Sequence, residues 1–162
     1  MFPDLDKYYT PSNVARDLLR RAQLSSQPSH CIDTSCGSGE LLRAASDIFT
    51  GTNLVGLDKD YSVVRRIRKE FPEWRVGNVD IQNPRSVARS PLVSQRHHGG
   101  LLVLNPPFSQ QGYKSVECSL FGETIQTSVA MSYLVRSLVL FRPRDGAMMV
   151  APESMSYSEV ES

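Results

Sequence analysis

Two short stretches of this sequence hold residue types whose spacing suits chemistry. The first is Asp33-Thr34-Ser35-Cys36-Gly37-Ser38-Gly39, set between an apolar run and a segment of helical period. Glycines in such a turn let the backbone approach a ligand, because no Cβ stands in the way and unusual φ/ψ values are tolerated. A flat or anionic group could sit there. Leu42 occupies the place of the third glycine of a dinucleotide fingerprint, which argues against NAD or FAD. Asp58 ends the next apolar run, 19 positions after Gly39. That is close to the offset of roughly 20 residues at which an acid accepts hydrogen bonds from ribose hydroxyls. Taken alone, the pair is also what a tight turn followed by a helix-capping aspartate looks like.

The second stretch, Asn105-Pro106-Pro107-Phe108, follows the apolar run Leu101 to Leu104. The proline pair must end that strand's hydrogen bonding. In an α/β sheet its position is the carboxyl end of a strand, beside the point where strand order reverses and ligands bind. The chemistry this suits is positioning of an exocyclic amine. An adenine amino nitrogen is a poor nucleophile because its lone pair is delocalised into the ring, and no proton has to leave first. Geometry is what helps. Acceptors from the Asn105 side chain and the Pro106 carbonyl could hold the two amino hydrogens, with the lone pair in line with a methyl group and its leaving sulfur. Phe108 could then stack on the base.

With these motifs the chain resembles the amino-group (N6-adenine or N4-cytosine) methyltransferases. The likeness is greatest to the bacterial DNA adenine methyltransferases of type I and related restriction-modification systems, and it covers most of the chain. Tyr8-Tyr9-Thr10-Pro11 resembles the family's N-terminal cofactor motif, Asp33 to Gly39 its glycine-rich motif, and Asp58 its ribose-binding acid. Asp80, after Gly77-Asn78-Val79, looks like the residue that contacts the cofactor's adenine, and Asn105 to Phe108 matches the catalytic tetrapeptide. The resemblance implies S-adenosyl-L-methionine as cofactor, held by Tyr9, Thr10, Pro11, Asp33, Cys36, Gly37, Gly39, Asp58, Asp80 and Asn105. Catalysis would fall to Asn105, Pro106, Pro107 and Phe108, and the product would be N6-methyladenine in DNA. An RNA adenine or protein glutamine methyltransferase would use the same residues. From a different class comes the reading of a non-catalytic cofactor-binding or DNA-binding partner. Family members complete a seven-stranded sheet and usually carry a target-recognition region. Here the pattern ends after a fifth strand, so a specificity subunit or further domain is an expected partner.

The elements that must position these residues follow from periodicity. Short apolar runs alternate with helix-period segments, the pattern of βαβ units building a mostly parallel sheet. The expected class is α/β, a Rossmann-like domain over residues 1–162 with helices flanking the sheet. Thr10-Pro11 reads as a helix N-cap and first helical residue, with Val14, Ala15, Leu18, Leu19 and Ala22 repeating on one face. Strands are expected at His30 to Thr34, Asn53 to Asp58, Trp74 to Val79, Leu101 to Leu104 and Gly146 to Ala151. Helices are expected at Glu40 to Phe49, after an Asp60 cap, and from about Thr124 to Phe141. Ser109 to Gly122, rich in Ser, Gln and Gly, reads as a long loop over a site. The last strand, as a sheet edge, predicts self-association.

Composition sets outer bounds. A length of 162 residues with 40% apolar content suits one domain with a buried core. The formal charge is +1, from 18 basic and 17 acidic residues, so no domain-wide field attracts a polyanion and any nucleic-acid contact must be local. Three cysteines cannot all pair within the chain, and none has zinc-site spacing. No apolar run approaches the roughly 20 residues of a membrane span. These features predict a cytoplasmic protein without a metal. His97-His98 beside Gly99-Gly100 reads as a solvated loop, and Arg65, Arg66, Arg68 and Lys69 as a helix face turned to water. Cys36 reads as a small half-buried side chain rather than a reactive thiol. Glu117 and Cys118 carry no readable chemistry.

Overall fold

The computed structural model describes residues 9–94, 100–108 and 115–151. Its frame is a five-stranded sheet built from β1 (His30–Asp33), β2 (Asn53–Asp58), β3 (Arg75–Asn78), β4 (Leu101–Leu104) and β7 (Ala147–Met149). The strands run in the order β3-β2-β1-β4-β7, every pair parallel. β4 is buried along its whole length, as expected of a parallel strand covered on both faces. On one face, α1 (Ser12–Arg20), α2 (Glu40–Ile48) and α3 (Tyr61–Glu70) bury Ala15, Leu19, Leu41, Leu42, Val64 and Ile67 against Cys31, Leu54 and Val103. The other face packs Ile32, Val55 and Leu102 against Tyr133 and Phe141 of α6 (Val129–Phe141). The period-2 alternation of the strands sends successive side chains to these two layers.

Strand order reverses between β1 and β4, which pair in register from Cys31↔Leu101 to Asp33↔Val103. Connections leaving those two strands part to opposite sides of the sheet, and a crevice opens at their carboxyl ends. Both sequence motifs lie there, one at the end of each strand.

Several expectations need correction. Residues 116–127, read as loop and the start of a helix, form an antiparallel hairpin of β5 (Val116–Leu120) and β6 (Glu123–Thr127). α6 therefore begins at Val129, capped by the Ser128 side chain accepting the Met131 N–H, and not near Thr124. The proposed Thr10 cap is also displaced. Pro11 is the N-cap of α1 and no side chain caps that helix. Two short helices, α4 (Pro84–Ala88) and α5 (Pro91–Ser94), lie in a stretch given no element in the sequence reading. Arg68 is not wholly given to water, since its Nε donates to the Val76 carbonyl at 2.8 Å. The remaining strand and helix ends differ from expectation by one or two residues, and β2 and β4 not at all. Among the described residues no helix is long and apolar enough to cross a membrane. Cys31, Cys36 and Cys118 are all free and buried.

Candidate active site at the β1–β4 switch

The turn after β1 is held by backbone bonds that draw it onto β2. The Cys36 N–H donates to the Leu57 carbonyl at 2.9 Å, and the Gly39 N–H to the Cys36 carbonyl at 2.7 Å. The Gly37 N–H donates to Asp58 Oδ2 at 2.9 Å, while the Asp60 N–H donates to Asp58 Oδ1 at 2.8 Å. One carboxylate thus fixes the glycine turn and the entry to α3 together. Gly37 (φ +49°) and Gly39 (φ +85°) adopt left-handed conformations that favour residues without a Cβ. At Gly39 a Cβ would also stand 3.1 Å from the Trp74 ring. Cys36 is 4% exposed, its Sγ packed against the Gly56 backbone. Burial and the nearby carboxylates push its thiol well above the ordinary range, so it stays protonated and inert.

α1 brings the N-terminal motif to the same place. Ser12 Oγ donates to Glu40 Oε2 at 2.7 Å and Arg16 pairs with Asp47 at 3.2 Å, docking α1 along α2. Thr10 is thereby buried beside the tetrapeptide, where its Oγ1 accepts from Asn105 Nδ2 at 2.8 Å. Residues 95 positions apart meet directly. The bond also fixes the Asn105 amide, with Nδ2 turned toward Thr10.

A cleft of about 770 Å³, partly open to solvent, lies above these groups. Gly37, Asp58 and Lys59 line one part of it, Val63, Val79 and Ile81 supply apolar wall, and Asn105, Pro106 and Pro107 close it with Tyr133. A smaller cavity of about 240 Å³, lined by Thr10, Asp33, Cys36 and Glu40 among others, adjoins it. Tyr9, Ser35, Gly37 and Asn105 line both.

Most of the residues singled out in the sequence therefore converge. Gly39 and Pro11 shape the frame, the first as the N-cap of α2 and the second through its carbonyl, which accepts the Ala15 N–H at 3.0 Å. Asp80 lies between Val79 and Ile81 of the wall without lining it, and its Oδ1 accepts the Gln82 N–H at 2.9 Å. Phe108 is half-buried and does not line the cleft, whereas Pro107 does. His97-His98 and Tyr8 lie outside the described residues. The residue that sequence reasoning missed is Tyr133, because on a helix with an apolar stripe an aromatic at core spacing looks like packing alone.

Two ionisable groups of the site, Asp33 and Tyr133, are buried. Asp33 is 1% exposed and accepts one backbone N–H, from Ser35 at 3.0 Å. Burial, added to repulsion from Asp58, raises its carboxyl to about 7 despite that bond. Tyr133 is 5% exposed, and burial together with Asp80 and Asp58 pushes its phenol up to about 12. It is a donor at any physiological pH. Such a site offers carboxylate acceptors, a glycine turn, an apolar slot and an oriented amide, which together suit a nucleoside-containing ligand and a second, amine-bearing reactant.

Comparisons with known proteins support the architecture. No protein-family model matches the sequence, and no curated protein matches it. Among solved structures, a protein from Listeria monocytogenes assigned as a class I S-adenosylmethionine-dependent methyltransferase superposes with a TM-score of 0.58 at 13% identity. The match covers 91% of this chain and 46% of the Listeria protein, so the chain spans about half the length of that relative. DesVI of Streptomyces venezuelae is similar over 63% of this chain and 36% of its own, with 21% identity and a TM-score of 0.39. The Listeria likeness, with the strand order above, establishes a Rossmann-like α/β fold shared with that protein.

Proposed function

We propose that this domain binds S-adenosyl-L-methionine in the β1–β4 cleft and directs its methyl group to the N6 amine of adenine in DNA. The observation that carries the reading is the Asn105–Thr10 bond, which joins the N-terminal motif to the tetrapeptide at the boundary of the two cavities. The residues present fit the cofactor. Asp58 keeps lone pairs beyond its two backbone bonds for ribose hydroxyls. Val63, Val79 and Ile81 suit a flat base, and buried Asp33 in the adjoining cavity suits a cationic group. When bound, the cofactor supplies an electrophilic methyl on a sulfonium.

The chain's own contribution is then orientation. Asn105, held at Nδ2 by Thr10, turns an acceptor toward an incoming amine, and the Pro106 carbonyl is the second acceptor. No general base is required for an uncharged amine whose proton departs after the bond forms. Phe108 stacks on the extruded base. The Thr-Pro start and the Phe of the tetrapeptide favour DNA over RNA or protein. With a net charge of +1, phosphate contacts come from a local patch or from a further domain or subunit that also reads sequence.

The test is transfer of labelled methyl from S-adenosylmethionine into DNA, RNA and protein pools, with the product identified after hydrolysis. N6-methyladenine in DNA is expected. Label confined to RNA or to glutamine would replace the substrate, and absence of cofactor binding would remove the reading altogether.

A further inference from the structure

Tyr133 is a buried polar side chain that the reaction outlined above does not use. It is 5% exposed, yet it lines the larger cleft, and among the described residues its hydroxyl has no hydrogen-bond partner. A tyrosine whose ring is this buried usually directs its hydroxyl to a partner, and here the cleft is the space from which one can reach it. Its neighbours fix where it stands. Ser132 Oγ accepts from Gln82 Nε2 at 2.9 Å and donates to the Val129 carbonyl at 2.6 Å, locking the start of α6 to the turn after β3. Val79 and Ile81 flank that turn and, with Pro107, form apolar wall around the phenol. Tyr133 thus brings a hydrogen-bond donor to the part of the cleft whose other named walls are apolar. Asp58, which takes the ribose on this reading, lines the same cleft.

Resting on the S-adenosylmethionine reading, we propose that the Tyr133 hydroxyl is a specificity determinant for the cofactor's base, donating a hydrogen bond to a ring nitrogen of the purine. A ring nitrogen is an acceptor only, so it matches a phenol that stays protonated in this acidic surrounding. The arrangement selects a purine nucleoside through a residue from α6 rather than from the strand ends.

The experiment is calorimetric binding of S-adenosylhomocysteine and its 1-, 3- and 7-deaza-adenosyl analogues to the wild-type chain and to Tyr133→Phe, which keeps the ring and removes only the hydroxyl. For the parent ligand, Tyr133→Phe is expected to bind about 3- to 10-fold more weakly, the range for one neutral hydrogen bond. Against one deaza analogue, and only one, the two proteins should bind alike, because the acceptor is already gone. A structural role would weaken all four ligands equally, and that result, or an unchanged affinity for the parent, overturns the proposal. Failure of wild type to bind the parent ligand defeats instead the cofactor reading on which it rests. Equal melting temperatures of the two ligand-free proteins confirm that folding is not what changed.

Discussion

Asp58 was legible from its offset after the glycine turn, but its second duty was not. Its two carboxylate oxygens already accept the Gly37 and Asp60 amides, so it organises the turn that it serves. Asp58→Ala is therefore expected to weaken S-adenosylmethionine binding by about 1.5–3 kcal/mol, the usual worth of a hydrogen bond to a charged group, and to lower the melting temperature of the ligand-free protein as well. Calorimetry and thermal unfolding check the two effects; unchanged affinity would remove Asp58 from the site. Asp33 gives a pH prediction. Its carboxyl is raised from 3.8 to about 7, so between those values the folded state holds a proton that the unfolded state has lost. Stability should fall as pH rises from about 4 to about 7 and level off above. Asp33→Asn should flatten this fall and stabilise the ligand-free protein at pH 8 by on the order of 2–4 kcal/mol. Denaturant titrations across that range measure it, and parallel pH profiles for the two proteins would contradict it. Neither the burial of Asp33 nor the inward aim of Tyr133 could be read from sequence, since both depend on what packs around them.

At the scale of elements, strands with strong apolar runs and caps with side-chain acceptors were readable. β2 and the Asp60 cap of α3 stand where expected, the latter accepting the Ser62 N–H at 2.9 Å. The β5–β6 hairpin was hidden because only one residue of its face, Cys118, is fully buried, and Ser, Gln and Gly mask the alternation. Thr10 was misread because a threonine before a proline satisfies the local rule for a cap, while a contact 95 residues away decides its role. The glycine turn carries a sharper prediction. Gly39→Ala places a Cβ in a left-handed conformation, at about 1–2 kcal/mol, and against Trp74, whose ring is held by stacking on Phe71 at 3.9 Å. A loss of at least that much unfolding free energy is expected; an unchanged value would mean the turn tolerates a side chain. β7 is an edge of the sheet among the described residues, with Met148 and Met149 half-buried. Its unpaired backbone groups favour self-association of the isolated chain at moderate concentration. Sedimentation should show dimers or larger species, whereas a clean monomer with protected amides over Ala147–Met149 would show the edge covered.

For the whole molecule, the α/β class and the order of motifs were written in the alternation of apolar runs, because a parallel sheet needs strands buried on both faces and helices to cover them. The meeting of two distant motifs in one crevice follows from strand order, which periodicity does not reveal. That meeting makes Asn105 the centre of the account. Because it contacts Thr10 as well as facing both cavities, Asn105→Ala must be compared with Thr10→Val, which breaks the same bond but leaves the amide. The most direct measurement is single-turnover methyl transfer to adenine-containing DNA by these two variants and wild type, with cofactor affinity measured alongside. Asn105→Ala is expected to keep near wild-type affinity and to transfer at a rate lowered by about 3–4 kcal/mol in barrier, as for a lost oxyanion-hole donor, with Thr10→Val much less impaired. Transfer by Asn105→Ala at the wild-type rate under saturating substrate would contradict it, leaving a domain that binds a cofactor without positioning an amine.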